Sequence, residues 1–291
     1  KGTDTQIPAL DIVAERFELL GKSLGRLELL AHNASGPAGR EWRIRKLALD
    51  NPDGSLHAEG EWANKGGERQ SRLKYGLEIA DAGSLLERLG FAGVLRGGNG
   101  KMEGEVNWKG LPYSLDIPTL SGQVRLELED GQFLKVEPGA AKLLGVLSLQ
   151  ALPRRLTLDF RDLFSEGFAF DGVAASASIA QGVMTTDSFK MRSVNAAVLL
   201  DGAVDIARES QDLHVVVIPE INFGAASVAY GLIVNPVVGL GSFLAQLFLR
   251  DPLMQAFTME YQVSGPWKDP VVKKLPRRHG GAAQAVPEAG G

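Results

Sequence analysis

Residues 101–109 read KMEGEVNWK, and this stretch decides the fold class. Apolar Met102, Val106 and Trp108 alternate with charged or polar neighbours, so one side of the segment is apolar and the other is hydrophilic. Alternation with a period of two residues predicts a β-strand that is solvated on one face, as in antiparallel sheets. The same alternation recurs at residues 72–79, 124–129, 155–161 and 257–264. The chain is therefore predicted to be mainly β.

Turn and cap signals divide these strands. Glycine after Asp, Asn or Gln supplies the backbone conformation of tight turns. This predicts hairpins at Asp53-Gly54, Asn99-Gly100, Asp130-Gly131 and Gln181-Gly182, and a turn or bulge at Asp201-Gly202 inside a long strand over 196–206. Helices are few: Asp81 is predicted to cap a short one that stops at Gly90, and Pro138 to open a second one that ends at Gln150.

A 29-residue run from Ile221 to Leu249 contains no charged side chain. Pro236 interrupts helical hydrogen bonding within it, so two short apolar helices are predicted, over 225–234 and 236–249. Three roles stay open for this pair: to plug the end of a groove, to lie in a bilayer interface, or to dock a partner protein. The residues predicted to contact that apolar surface are Val234, Val237, Leu240, Phe243, Leu244, Leu247 and Phe248.

Composition narrows the function. A net charge of −4 provides no basic field for nucleic acid or an anionic membrane, and no cysteine is present. The four histidines are far apart in sequence, and no nucleophile elbow occurs. Residues 96–101 resemble a phosphate loop only superficially, because they lack Gly-Lys-Ser/Thr and precede a strand, so a hairpin turn is predicted there. No cofactor, metal or enzymatic activity is therefore expected.

The apolar strand faces outnumber the helices that are available to cover them. Two arrangements satisfy this pattern, a β-sandwich or closed barrel, or a long sheet that curls into a trough with an apolar concave face left for a ligand. Strand periodicity does not distinguish them.

Four strings carry a family resemblance: DAGSLLERLG at 81–90, LLGVLSLQALPRRLTLDF at 143–160, EGFAFD at 166–171 and YQVSGPWKDP at 261–270. In order and spacing they resemble the AsmA-like C-terminal region of the YhdP family, over about 77–275. The resemblance implies a Gram-negative envelope protein with an inner-membrane helix and a long periplasmic β-groove, called a β-taco. Such proteins are thought to carry phospholipid between the inner and outer membranes without an enzymatic step.

The resemblance and the strand pattern lead to one set of expectations. Residues 1–275 form a single domain, a long antiparallel sheet curled into a groove, with an apolar helical insertion over 223–256 and a disordered tail over 276–291. The chain is the periplasmic, C-terminal part of an inner-membrane-anchored protein whose anchor is absent from it, and its end lies near the outer membrane. The residues predicted to line the groove or its packed base are Leu126, Leu128, Leu156, Leu158, Phe160, Phe168, Phe170, Ile179, Val198, Leu200, Met259, Tyr261 and Val263.

Two other functions fit parts of the pattern. A periplasmic assembly factor would shield the strands of outer-membrane proteins by pairing them with exposed sheet edges. A glycan-acting hydrolase would need two carboxylates that converge in a cleft, whereas the acids here alternate with apolar residues on hydrophilic faces.

Overall fold

One antiparallel sheet of 13 strands accounts for most of the described residues, and each strand pairs with its neighbours in sequence. The computed structural model describes residues 7–36, 39–65, 68–134, 168–194, 196–219, 244–245, 249 and 258–276. Within these residues the first strand, Leu10–Leu19, and the last strand, Val271–Lys274, are the two edges of the sheet and do not pair with each other, so the sheet is open. The predicted helix 138–150, the strand 155–161, the helical pair as a whole and the tail from 277 onward lie outside the described residues.

Most of the strands are long, and together they form one continuous sheet. The first seven strands are β1 Leu10–Leu19, β2 Lys22–Gly36, β3 Gly39–Asn51, β4 Gly54–Lys65, β5 Glu68–Ile79, β6 Leu95–Lys109 and β7 Ser121–Phe133. The remaining six are β8 Phe168–Ala180, β9 Val183–Arg192, β10 Ala196–Asp205, β11 Ser210–Pro219, β12 Met259–Pro266 and β13 Val271–Lys274. These elements confirm that the chain is mainly β.

The pairing register sorts side chains onto two faces. Leu77 lies opposite Met102, which lies opposite Leu126, whereas the adjacent Lys101 pairs with Glu127. Directly opposed residues project to the same side of a sheet. One side, the apolar face, therefore collects the apolar residues of the alternating pattern, and the other, the charged face, collects the acids and bases. Lys101 Nζ is 3.2 Å from the Glu127 carboxylate on that charged face.

Antiparallel connections alternate between two rims of this sheet. The rim that carries the β3–β4 and β5–β6 connections is named the α1 rim, after α1 (Ala82–Arg88) in the second of them. The opposite rim is named the Trp rim, because Trp42, Trp62 and Trp108 lie close to it near the ends of their strands. At each rim, residues of one connection pack onto the apolar face.

Helix α1 confirms the predicted cap. The Asp81 carboxylate accepts a hydrogen bond from the Ser84 amide at 2.8 Å, and Gly90 follows the helix with a φ of +96°. These are the expected start and stop signals. Leu85 and Leu86 of α1 pack onto the apolar face of the sheet. A short 3-10 helix, Ile117–Thr119, was not predicted.

Three turn predictions are confirmed. Asp53-Gly54 lies at the β3–β4 hairpin, and Gln181-Gly182 lies at the β8–β9 hairpin. Asp201-Gly202 lies within β10, where the register against β9 shifts between Leu200 and Gly202. That shift is a bulge of the kind that glycine permits.

Two hairpin predictions are wrong, because Asn99-Gly100 and Asp130-Gly131 lie inside β6 and β7. Gly100 has a φ of +154°, and an added Cβ would stand 2.1 Å from the Glu127 carbonyl oxygen. At Gly131 an added Cβ would stand 2.3 Å from the Phe170 ring. Both glycines are therefore needed for close approach to a neighbour, not for chain reversal.

Candidate functional site

Among the described residues, three clusters of packed side chains lie on the apolar face. The main cluster extends over β5–β13 and α1 and includes Leu128, Val198 and Leu213. Two smaller clusters lie at the Trp rim, one around Trp42 and Trp62 and the other around Trp108 and Ile179. Trp42, Trp62 and Trp108 are buried within these two clusters, so they belong to the packed core.

The predicted groove residues come together on this face. All of the described ones except Ile179 belong to the main cluster, and Ile179 lies in the adjacent Trp108 cluster. Leu156, Leu158 and Phe160 lie outside the described residues. The main cluster contains Leu126, Leu128, Phe168, Phe170, Val198, Leu200, Met259, Tyr261 and Val263.

One row of apolar side chains crosses eight strands without interruption. Each member is directly opposite the next, so the row runs perpendicular to the strands from β1 to β8. Seven strand spacings of about 4.8 Å make it roughly 34 Å long. Leu27 is 7% exposed, and the other members are only half-buried. We name this set the open row; its members are Ala14, Leu27, Leu49, Leu56, Leu77, Met102, Leu126 and Ala175.

A second row continues across the later strands and is more enclosed. It begins at Leu128, two residues along β7 from Leu126, and ends on β12. Val198 is 2% exposed and Met191 is 3% exposed, so little of its surface is available to a ligand. We name this set the buried row; its members are Leu128, Val173, Met191, Val198, Val217 and Met259.

The predicted list missed most of the open row. Leu77 and Met102 were recognised as strand residues, yet only Leu126 was assigned to the groove. The same two-residue alternation marks all three, and they lie directly opposite one another. Extending the predicted face from strand to strand would have found them.

The two rims overhang the apolar face. At the α1 rim Leu85, Leu86 and Phe91 pack against the main cluster. At the Trp rim the connection over 110–120 folds back, and the Trp108 indole donates a hydrogen bond to the Leu111 carbonyl at 2.9 Å. The half-buried open row therefore runs between two apolar borders.

Two tyrosines lie on the apolar face, Tyr75 on β5 and Tyr261 on β12. Burial raises the pKa of both phenols above the ordinary value. Desolvation disfavours the ionised form, so both rings stay neutral at physiological pH. The Tyr261 hydroxyl lies 3.6 Å from the Met259 sulfur, which it faces as a donor.

A trough of about 1060 Å³ runs across β3–β9, and it opens on the charged face. Each central strand contributes two charged-face residues and the apolar-face residue that lies between them in sequence. On β4 these are His57, Glu59 and, between them, Ala58. Acids and bases are mixed along it, and Arg125 Nη1 lies 3.3 Å from Glu103. This trough is on the face opposite to the one on which a groove was predicted. Mixed, solvated ion pairs of this kind are ordinary surface chemistry.

His214 joins three strands on the charged face. Its Nδ1 is 2.9 Å from Asp201 on β10, and its Nε2 is 2.9 Å from Glu260 on β12. His214 is therefore paired with a carboxylate on each neighbouring strand. Among the described residues, no three or more histidine and acidic side chains are arranged to hold a metal ion.

Of the predicted apolar helical pair, the structure describes Leu244, Ala245 and Leu249. Leu244 is 4% exposed, so its side chain is enclosed by protein, whereas Leu249 is 83% exposed. In the part of the chain that is described, no helix combines the length and the apolar character that crossing a bilayer requires.

Comparison with known proteins gives two matches. The sequence model of the family described as YhdP protein matches residues 1–272. The protein named intermembrane phospholipid transporter YhdP, from Escherichia coli (strain K12), is 32% identical over 231 residues, which are 79% of this chain and 18% of that protein. The chain thus spans less than a fifth of the length of that relative. No solved structure matches.

Proposed function

Because the chain belongs to the YhdP family, we propose that it carries phospholipid between the inner and outer membranes, without a chemical step. In this proposal the acyl chains lie along the apolar face and the headgroups stay in water. The open row is the observation that carries it, since its apolar side chains form one unbroken line across eight strands and all of them except Leu27 are only half-buried. The name of the Escherichia coli relative concerns phospholipid transport, so it supports this function over a strand-shielding assembly factor.

The energetics of the open row suit a hydrocarbon ligand. An acyl chain gains about 0.8 kcal/mol for each CH₂ that leaves water for an apolar surface. Leu56, Leu77 and Met102 are only partly covered by protein, so a chain laid over them removes their exposed area from water as well. No polar clasp is needed, and the lipid stays free to move along the row.

We further propose that the sheet curls around its lipid, with the apolar face as the concave side. The packing of Leu85 at the α1 rim and of Leu111 at the Trp rim onto the apolar face supports this, because both residues border that face. In the proposal residues 1–275 act as one domain of a periplasmic protein with an inner-membrane anchor, and the C-terminal end points to the outer membrane. In the proposal Leu126, with Leu77 and Met102 added, contacts the acyl chains, and the buried residues of the predicted list, such as Leu128 and Val198, form the packed base of the groove.

A photocrosslinking pair on one strand tests the assignment. A benzophenone amino acid at Leu126 faces the open row, whereas the same probe at Glu127 faces the charged side. We expect phospholipid adducts from Leu126 and Met102, and only background from Glu127 and Lys101. Mass spectrometry of the purified, crosslinked protein identifies the adduct. Equal capture from both faces, or capture from Glu127 alone, would contradict lipid carriage by the apolar face.

A further inference from the structure

The hydroxyl of Tyr75 lies on the apolar face beside the open row. Tyr75 is directly opposite Gly104 on β6, and Leu77, a member of the open row, stands two residues further along β5 on the same side. Two residues of a strand span about 7 Å, so the phenol borders the row near its middle. A Cβ added to Gly104 would stand 2.8 Å from the Tyr75 hydroxyl oxygen. The ring therefore leans across the sheet into the space that this glycine leaves.

This hydroxyl differs from the other polar groups around it. Over 71–79 of β5 and 100–108 of β6, the other residues on the same side are apolar or glycine, apart from Ser71. The Ser71 hydroxyl and the Trp108 indole each donate a hydrogen bond to a backbone carbonyl. Tyr75 is half-buried, and among the described residues its hydroxyl has no hydrogen-bond partner and is not enclosed. It is therefore open to a ligand.

A ligand that meets this hydroxyl must accept a hydrogen bond. Burial raises the pKa of the Tyr75 phenol, so the group keeps its proton at physiological pH and acts as a donor. Lys74 and Lys101 project to the charged face, where they lie opposite Glu105 and Glu127. One neutral donor does not replace the hydration of an ionised phosphate, whereas it satisfies a neutral carbonyl oxygen. The chemistry of the position fits a neutral acceptor.

We propose that the Tyr75 hydroxyl donates a hydrogen bond to an ester carbonyl of a bound glycerophospholipid, whose acyl chain lies over the open row. The ester joins the acyl chain to the glycerol, so a chain that covers Leu77 and Met102 brings its carbonyl to the border of the row. A single neutral hydrogen bond is weak enough for the lipid to move on. The inference rests on the proposed lipid carriage and adds a residue that distinguishes ester-linked from ether-linked lipids.

Competition between two lipids tests the proposal in the 291-residue chain. Dioleoyl phosphatidylglycerol and its ether-linked analogue share the headgroup and the hydrocarbon chains, but only the first has ester carbonyls. The protein is incubated with an equimolar mixture in detergent micelles, and native mass spectrometry gives the ratio of bound ester lipid to bound ether lipid. We expect the native chain to favour the ester lipid about fivefold. Tyr75→Phe, which removes only the hydroxyl oxygen, should bind both lipids about equally.

Tyr261→Phe is the matched control. Tyr261 lies on the same face, but it is 4% exposed, and its hydroxyl faces the Met259 sulfur at 3.6 Å. This variant should keep the ester preference of the native chain. Each value is a ratio within one protein sample, so a loss of folded protein changes the total lipid bound and not the preference.

Two results overturn the inference. An ester preference that is the same in Tyr75→Phe as in the native chain would mean that the hydroxyl does not contact the ester, even if total binding falls. A fall of total binding at unchanged preference would assign the hydroxyl to the phosphate or to the fold. Failure of the native chain to bind either lipid would refute the proposed function itself, and the inference with it.

Infrared spectroscopy of a lipid labelled with ¹³C at its ester carbonyls gives a second measurement. A carbonyl that accepts a hydrogen bond absorbs at a lower frequency than a free one. We expect a low-frequency component of the labelled band in the native chain and in Tyr261→Phe, and its loss in Tyr75→Phe. The same band in all three proteins would show that no hydrogen bond forms between Tyr75 and the ester.

Discussion

The open row and the buried row are made of similar residues on one face of one sheet, yet they differ in exposure. Leu126 and Leu128 stand two residues apart on β7, and the first is half-buried whereas the second is 8% exposed. Around the open row the strands β5 to β7 alternate strictly, so one side of them is charged and solvated. Around the buried row β10 and β11 carry consecutive apolar residues, at 198–200 and 215–218. Strands that are apolar on both sides are typical of double-sided burial.

This difference separates two tasks. Full burial of an aliphatic side chain stabilises the folded state by about 1.5–3 kcal/mol. The apolar surface of the buried row already contributes to folding in this way, so little of it is available to a ligand. The open row retains surface that a ligand can cover. The early strands are therefore the region where we propose lipid contact, whereas the apolar residues of β10 and β11 are buried within the protein.

The largest expected effect comes from truncation within the two rows. Leu128→Ala should lower the free energy of unfolding by about 2–5 kcal/mol, because it leaves a cavity in the main cluster. Leu126→Ala should cost about 1 kcal/mol in lipid-free protein, since that side chain is partly solvated. Urea unfolding followed by circular dichroism gives both values. Equal losses of unfolding free energy in the two variants would mean that the open row and the buried row do not differ in their contribution to stability.

Two glycine variants test how closely the early strands pack against one another. Gly100→Ala places a methyl group 2.1 Å from the Glu127 carbonyl oxygen and forces a φ of +154° on alanine. It should destabilise the protein by about 1–3 kcal/mol or more. Gly76→Ala is the control, since nothing lies within 4 Å of its Cβ position. We expect that variant to stay within about 0.5 kcal/mol of the parent. Comparable decreases of Tm in the two variants would mean that the close contact of residue 100 with the Glu127 carbonyl does not determine stability.

The smallest effect is electrostatic and depends on pH. Hydrogen bonds from Lys46 and then Arg26 lower the pKa of the Glu28 carboxyl. A lowered pKa stabilises the folded chain above the unfolded pKa of about 4.3, and that contribution is lost as pH falls through the folded value. Glu28→Gln should therefore reduce Tm slightly at pH 7, less in high salt, and not at all in strong acid.

Glu18→Gln is the matched control for that measurement. Glu18 is exposed, and no ion pair involves it among the described residues. Replacement of Glu18 should leave Tm unchanged both at pH 7 and in strong acid. A Glu28→Gln effect that persists in strong acid would mean that the hydrogen bonds matter through geometry and not through charge.

Strand identity was predictable wherever alternation was strict, as at 101–109 and 72–79, because side-chain direction repeats every two residues within a strand. The helix cap at Asp81 was predictable for the same local reason. The errors at Asn99-Gly100 and Asp130-Gly131 have a common cause. A glycine that reverses the chain and one that admits a neighbouring backbone look identical in sequence, and only the partner strand distinguishes them.

The candidate site was predicted in its chemistry but not in its extent. Nine of the predicted lining residues belong to one cluster, which the alternation already implied. The open row was largely missed, because exposure depends on what lies above a residue and not on its own type. The trough on the charged face had no sequence signal, since it arises from the spacing of side chains on seven adjacent strands.

By itself the sequence determined the strands, their two chemically distinct faces and the family, because these depend on residue order along a single chain segment. The tertiary structure alone decided which apolar residues remain accessible and which are sealed. That outcome depends on register between strands far apart in sequence and on which segments fold over each face, and both are set by the free energy of the assembled sheet.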